Sequence, residues 1–151
     1  MVNVGIATAG AEQPINRHAA VAGETMREGD LVGINSDGEM VKADAASGQM
    51  ALGACLTPAT SLDDYQEDEV KLVIEANRAL VGRDRVSTIA YGVEVENGDG
   101  DWGFVPGEVV YLGEDGGYTQ DRPASGLVQI VGVALTEDRI MLAVQPSDET
   151  A

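Results

Sequence analysis

Short apolar runs separated by glycine-bearing turns set the rhythm of this chain. The run GDLVGIN (29–35) is closed by Ser36, Asp37 and Gly38, a turn signal. EMVKA (39–43) and QMALGACLT (49–57) follow as strands, and Pro58 ends that unit because proline cannot donate to a ladder. VSTIAYGVEVEN (86–97) reads as a strand region bent at Gly92, and NGDGD (97–101) as a turn. GEVVYL (107–112), GYTQ (117–120), LVQIVGVAL (127–135) and RIMLAVQ (139–145) complete the series. Strands recurring about every 8–12 residues between glycine turns predict an all-β barrel or sandwich. PATSLDDYQEDE (58–69) is acidic and turn-rich. In EVKLVIEA (69–76), Val70, Leu72, Ile74 and Ala76 alternate as in a strand. A helix over 68–80 competes, since Val70, Val73, Ile74, Asn77 and Val81 lie near one helical face, but the β-branched residues tilt the reading toward strand.

The pattern is written twice. Gly29, Val32, Asp37, Gly38, Ala46, Ser47 and Gly48 fall on Gly107, Val110, Asp115, Gly116, Ala124, Ser125 and Gly126 without a gap. One inserted residue then aligns Gly53, Leu56 and Thr57 with Gly132, Leu135 and Thr136. Two copies, 29–57 and 107–136, are too few for a solenoid and fit a duplicated strand-turn-strand element inside one β domain. In each copy Asp-Gly predicts a tight type I′ hairpin, because both central residues tolerate φ > 0. The glycine of LGACLT and of VGVALT predicts a bulge or a close backbone approach. The domain so defined spans 21–146, with a flexible tail at 147–151. Residues 1–20 lack periodicity and read as an extended arm.

The charge changes the picture most. The chain has 26 acidic residues against 9 basic ones, a net charge of −17, and only two lysines, Lys42 and Lys71. Such a surface repels phosphate, so nucleic acid is not an expected partner. It also self-repels in dilute buffer, while molar salt shortens the Debye length to about 3 Å and screens the repulsion. A halophilic source is the reading this favours; an acidic mesophilic protein is the plain alternative. MVNVGIATAG lacks the basic start and apolar run of a secretory leader, and no segment approaches the ~20 apolar residues of a membrane span. No membrane partner is expected.

Candidate chemistry is sparse. The lone Cys55 aligns with Ala134 and reads as a small buried residue. His18, the single histidine, lies in the arm, so histidine-dependent catalysis has one available base and metal sites of His/Cys type fail by count. NGDGDWGFVPGE offers Asn97, Asp99, Asp101 and Glu108 at calcium-loop spacing. Trp102, however, stands where such a loop needs glycine, and Pro106 interrupts the second half, so a polar hairpin loop is the better reading. No phosphate loop is present, as neither VGRDR nor LGEDGG carries the Lys-Ser/Thr pair. The expectation is a protein that is not an enzyme and holds no cofactor or metal.

MREGDLVGINSDGEMVKADAASGQMALGACLT and PGEVVYLGEDGGYTQDRPASGLVQIVGVAL resemble small head proteins of tailed viruses, the capsid decoration or cement proteins. Those sequences carry Gly-Asp before an apolar pair, an Asp-Gly turn, an Ala/Gly-rich stretch and a closing Gly-apolar-Ala. The likeness covers Val21–Thr57 and Pro106–Gln145. It implies a small β-barrel or β-tulip-like fold and a virion protein on the capsid surface, bound to the major capsid protein. With the acidic composition it implies a virus of a salt-loving archaeon. A homotrimer is the expected assembly. In that reading the arm meets the shell or the next subunit by adding a strand to an exposed edge, through its isolated apolar residues Val2, Val4, Ile6, Pro14 and Ile15. A turret or adhesion module contacting host glycans is the alternative virion role, and a cellular β-barrel module or small enzyme the third.

Overall fold

The computed structural model describes residues 4–6, 16–57, 86–100 and 102–151. Among these the strands are, in chain order, β1 (Val4–Ile6), β2 (Asn16–Val21), β3 (Leu31–Ile34), β4 (Met40–Lys42), β5 (Gly53–Thr57), β6 (Val86–Tyr91), β7 (Glu94–Asn97), β8 (Val109–Leu112), β9 (Tyr118–Thr119), β10 (Ile130–Thr136) and β11 (Arg139–Leu142). They form two antiparallel sheets, a five-stranded one in the order β2-β6-β5-β3-β4 and a six-stranded one in the order β1-β7-β11-β10-β8-β9. The fold is all-β. The expected strand-or-helix segment at 69–76 lies outside the described residues.

The duplication is larger than the sequence frame. β2 to β6 and β7 to β11 are two five-stranded modules of identical strand order. Register agrees residue by residue. His18, Ile89 and Cys55 stand opposite one another across β2, β6 and β5, as Val95, Ile140 and Ala134 do across β7, β11 and β10. Leu31 pairs with Ala54 and Val109 with Val133. The ladder skips Leu56 in one module and Leu135 in the other, the same β-bulge in both. Gly29, Gly38 and Gly48 have φ of 88°, 80° and 83°, and their counterparts Gly107, Gly116 and Gly126 have 86°, 78° and 80°. The modules differ most in one connection: β5 and β6 are joined through residues 58–85, β10 and β11 through Glu137 and Asp138 alone.

The hairpin prediction holds in the second module and is corrected in the first. Asp115 and Gly116 both have positive φ, 52° and 78°, as a type I′ turn requires, and Gly117 N–H donates to Glu114 O at 2.9 Å. In the Asp37-Gly38 turn of the first module Gly38 is left-handed and Asp37 is not. There Gly38 N–H closes the turn on Asn35 O at 3.0 Å, and Asn35 Oδ1 accepts from Asp37 N–H (3.0 Å) and Glu39 N–H (2.9 Å). The asparagine side chain does the work of a turn carbonyl, so a three-residue loop with a bulge at Gly38 forms instead. The predicted close approach is found at Gly132, where a Cβ would meet the Met141 carbonyl.

Two apolar clusters hold the modules. Met26, Val32, Met40, Cys55 and Ile89 pack inside module one. Phe104, Val110, Leu112, Tyr118, Ala134 and Ile140 occupy the matching positions in module two, but their cluster also takes in Leu31, Ala43, Ala45, Ala51 and Ala54 from module one. Cys55 is buried, as expected of a small core residue. Trp102 stacks on Phe104, with ring centroids 5.0 Å apart, so the aromatic pair returns to the core after the NGDGD turn. Residues 147–151, expected as a flexible tail, are tied down. Ser147 Oγ donates to Val128 O (2.7 Å), Val128 N–H to Glu149 O (2.8 Å) and Ala151 N–H to Gly126 O (2.9 Å).

Gly48 and Gly126 separate backbone strain from module packing. Both are left-handed, yet a Cβ at Gly48 meets open space, whereas one at Gly126 runs into the Ala45 carbonyl of the other module. Gly48→Ala is expected to cost about 1 kcal/mol, from φ alone. Gly126→Ala should cost several times more, because the modules must part to admit it. Denaturant unfolding of the two variants beside the parent chain measures the difference; equal losses would mean that Gly126 does not hold the seam.

Candidate functional site

The module seam is where polar chemistry concentrates. The Gly116 peptide is threaded into module one: its N–H donates to Ala43 O (2.6 Å) and its carbonyl accepts from Leu31 N–H (2.9 Å). Ala45 N–H donates to Gly113 O (3.0 Å) and Leu127 N–H to Ala45 O (2.8 Å). Tyr118 Oη, wholly buried, donates to Gly29 O at 2.5 Å, and burial pushes its phenol well above the usual range. Gln129, also buried, accepts from Ala51 N–H (2.8 Å) and donates to Ala51 O (2.9 Å) and Gln145 O (2.7 Å). A side-chain amide thus supplies both halves of a backbone pair across the seam.

On the solvent side the seam opens into a groove of about 650 Å³ lined by Glu24, Thr25, Arg27, Asp30, Lys42, Glu114, Asp115 and Gly117. Lys42 Nζ stands 3.1 Å from Asp115 and 3.8 Å from Glu24. Burial alone would lower the Lys42 pKa, but the hydrogen bond and charge of Asp115, helped by Glu24 and Asp30, outweigh it and hold the ammonium above its ordinary value. Asp30 is pushed up, chiefly by burial, against the opposing pull of the Arg27 N–H and Lys42. Asp44 goes the other way. Its partial burial is outweighed by backbone N–H groups of Asp115 (3.1 Å) and Ser47 (3.2 Å), which keep the carboxylate ionised. One ammonium here serves carboxylates of both modules, Glu24 of its own and Asp115 of the other, in a groove that stays acidic.

The residues expected to matter are placed as follows. Val4 and Ile6 lie on β1, which pairs with β7 of the same chain in the register Val4↔Asn97 and Ile6↔Val95. Val2, Pro14 and Ile15 lie outside the described residues. His18 sits on β2 opposite Ile89, within a segment expected as arm. At the calcium-like loop Asn97 is buried and its Oδ1 accepts from Asp99 N–H (3.0 Å), an Asx turn. No group of three His, Cys, Asp or Glu side chains placed to hold a metal ion occurs among the described residues. Sequence reasoning missed the roles of Lys42, Gln129 and Tyr118; the one signal for Lys42 was its rarity in so acidic a chain. Comparison with protein-family models, with curated proteins and with solved structures finds no match to this chain.

Two outcomes are expected at the seam. Gln129→Leu orphans the Ala51 N–H and two carbonyls, at roughly 1–3 kcal/mol for each buried group left unpaired, and should lower the unfolding midpoint sharply without changing strand content by circular dichroism. Asp44 has a folded pKa below its ordinary value of 3.8, so the stability it adds is present above that value and lost as pH falls through the lower folded one. Asp44→Asn should therefore be less stable at neutral pH and show a flatter acid limb below about pH 4, read by denaturant unfolding across pH 2–6. An unchanged limb would remove Asp44 from the account.

Proposed function

We propose that this chain is a structural virion protein that decorates the capsid of a tailed virus and stabilises it by binding the major capsid protein, with a salt-loving archaeal host. The observation that carries the reading is a coincidence of boundaries. The two stretches that resemble decoration proteins, Val21–Thr57 and Pro106–Gln145, fall one in each five-stranded module. The resemblance therefore follows a folded unit used twice and is not scattered over unrelated loops. The chemistry of the groove supports a joint more than a reaction: its lysine, Lys42, is spent on Asp115 across the seam and on Glu24 beside it. A decoration protein works by many copies set side by side on a lattice, where modest contacts suffice. In this reading the protein acts as a homotrimer, is not an enzyme and needs no cofactor.

The terminal strand β1 is the contact proposed for the shell. It is the last strand of the six-stranded sheet, and no strand among the described residues pairs with its outer edge. A neighbour's strand can be added there through backbone hydrogen bonds alone.

Purified virions test the proposal. The protein should be present in high copy number over the whole head; absence from particles would end the reading, and scarcity confined to vertices or tail would favour the turret alternative. The salt requirement is a separate outcome. With a net charge of −17 the isolated protein should melt at a markedly higher temperature in molar potassium chloride than in dilute buffer. Equal melting in both would remove the halophilic part.

A further inference from the structure

The two modules use one face differently. In module one the cross-strand neighbours Leu31 and Ala54 are 0 % exposed, because they pack into the cluster shared with module two. Their counterparts Val109 and Val133 are 38 % and 36 % exposed, and Met141, which continues the row beyond Val133, is 49 % exposed. Ile130 and Leu135 extend this bare apolar surface at 45 % and 38 %. A continuous apolar row on the outside of so acidic a protein marks an interaction surface. The duplication says what kind of surface covers it: in module one the same face is covered by a second five-stranded module of this chain.

The covering contact is not two-fold. Module two inserts its Gly113–Gly117 hairpin beside Ala43–Ala45 of module one. The reciprocal elements stay unused: the Asn35–Glu39 hairpin has an exposed tip at Ser36–Gly38, and Asp121 and Arg122 on the counterpart of the Ala43–Ala45 stretch are exposed. The contact is head-to-tail, and each end of the chain retains the half that the other end lacks.

We infer that the face bearing Val109, Val133 and Met141 binds a second copy of this chain, which docks its module-one end with the Asn35–Glu39 hairpin beside Asp121–Pro123. The association is heterologous, so it propagates until the rotation between copies closes a ring. Molar salt favours it twice over, by screening the acidic surfaces and by strengthening apolar burial. The inference rests on the duplication and not on the virion reading.

Sedimentation velocity of the full chain in molar potassium chloride tests it, over a wide range of protein concentration. The parent chain should self-associate. Val133→Glu and, separately, Met141→Lys should weaken association at least about tenfold, since each sets a charge in the apolar contact, while leaving the melting temperature nearly unchanged because both sites are exposed. Ser36→Trp, at the opposite end, should weaken it as well. A parent chain that is monomeric throughout overturns the inference. So does association insensitive to Val133→Glu and Met141→Lys, and loss with those two but not with Ser36→Trp overturns the head-to-tail arrangement. A monomer that is nonetheless abundant in virions would sink this contact and the homotrimer and leave the capsid location standing; an oligomer absent from virions would do the opposite.

Discussion

The structure depends on one residue, Gly116, whose carbonyl accepts from the Leu31 N–H and whose N–H donates to the Ala43 carbonyl of the other module. Everything that makes two modules into one body is arranged around that insertion. A side chain at Gly116 would press on the Leu31 carbonyl and on Asp30, and its φ of 78° is the left-handed conformation that glycine adopts without strain. The next residue outward, Asp115, shares that left-handed turn, offers its N–H to Asp44 and its carboxylate to Lys42. Beneath it Tyr118 and Gln129 satisfy buried backbone groups of module one that would otherwise face an apolar interior. The turn is therefore also the tenon of a joint, which explains why it is a tight two-residue hairpin here and a looser, asparagine-capped one in module one, where nothing receives it.

How much of this was legible in the sequence follows from which interactions are local. Alternation and glycine turns are local, so β3 to β11 could be read directly, as could the repeat from Gly29 to Thr57 and from Gly107 to Thr136. The rest of the duplication was hidden because β2 and β7, and β6 and β11, share register while sharing few residue types: Ile89 answers to Ile140, but His18 answers to Val95, and Ala90 to Met141. Backbone pairing tolerates such changes, since the ladder bonds do not involve side chains. The first hairpin was misassigned for a related reason. Asp-Gly is compatible with two turn types, and the choice was made by Asn35, two residues earlier.

The seam was the least legible part. Gln129 reaches Ala51 across a long sequence separation, and nothing near either residue announces the other. The same holds for Lys42 with Asp115. Sequence could mark Lys42 only by its scarcity, and composition could not say that this lysine stands at the joint. Val109 and Val133 read in sequence like core-facing residues, because their counterparts in module one, Leu31 and Ala54, are core-facing. Only stacking order, one module above and none below, separates the two.

The unequal connections carry a consequence of their own. Where module one spends residues 58–85 between its last two strands, module two spends Glu137 and Asp138, yet the strands on either side keep the same register and even the same bulge. Chain length at this corner is thus uncoupled from the architecture. Closing a longer loop costs entropy only logarithmically, about 0.6 kcal/mol for each doubling. This corner is a natural graft point: evolution, or an engineer seeking to present a peptide on this scaffold, can lengthen it without redrawing the sheet.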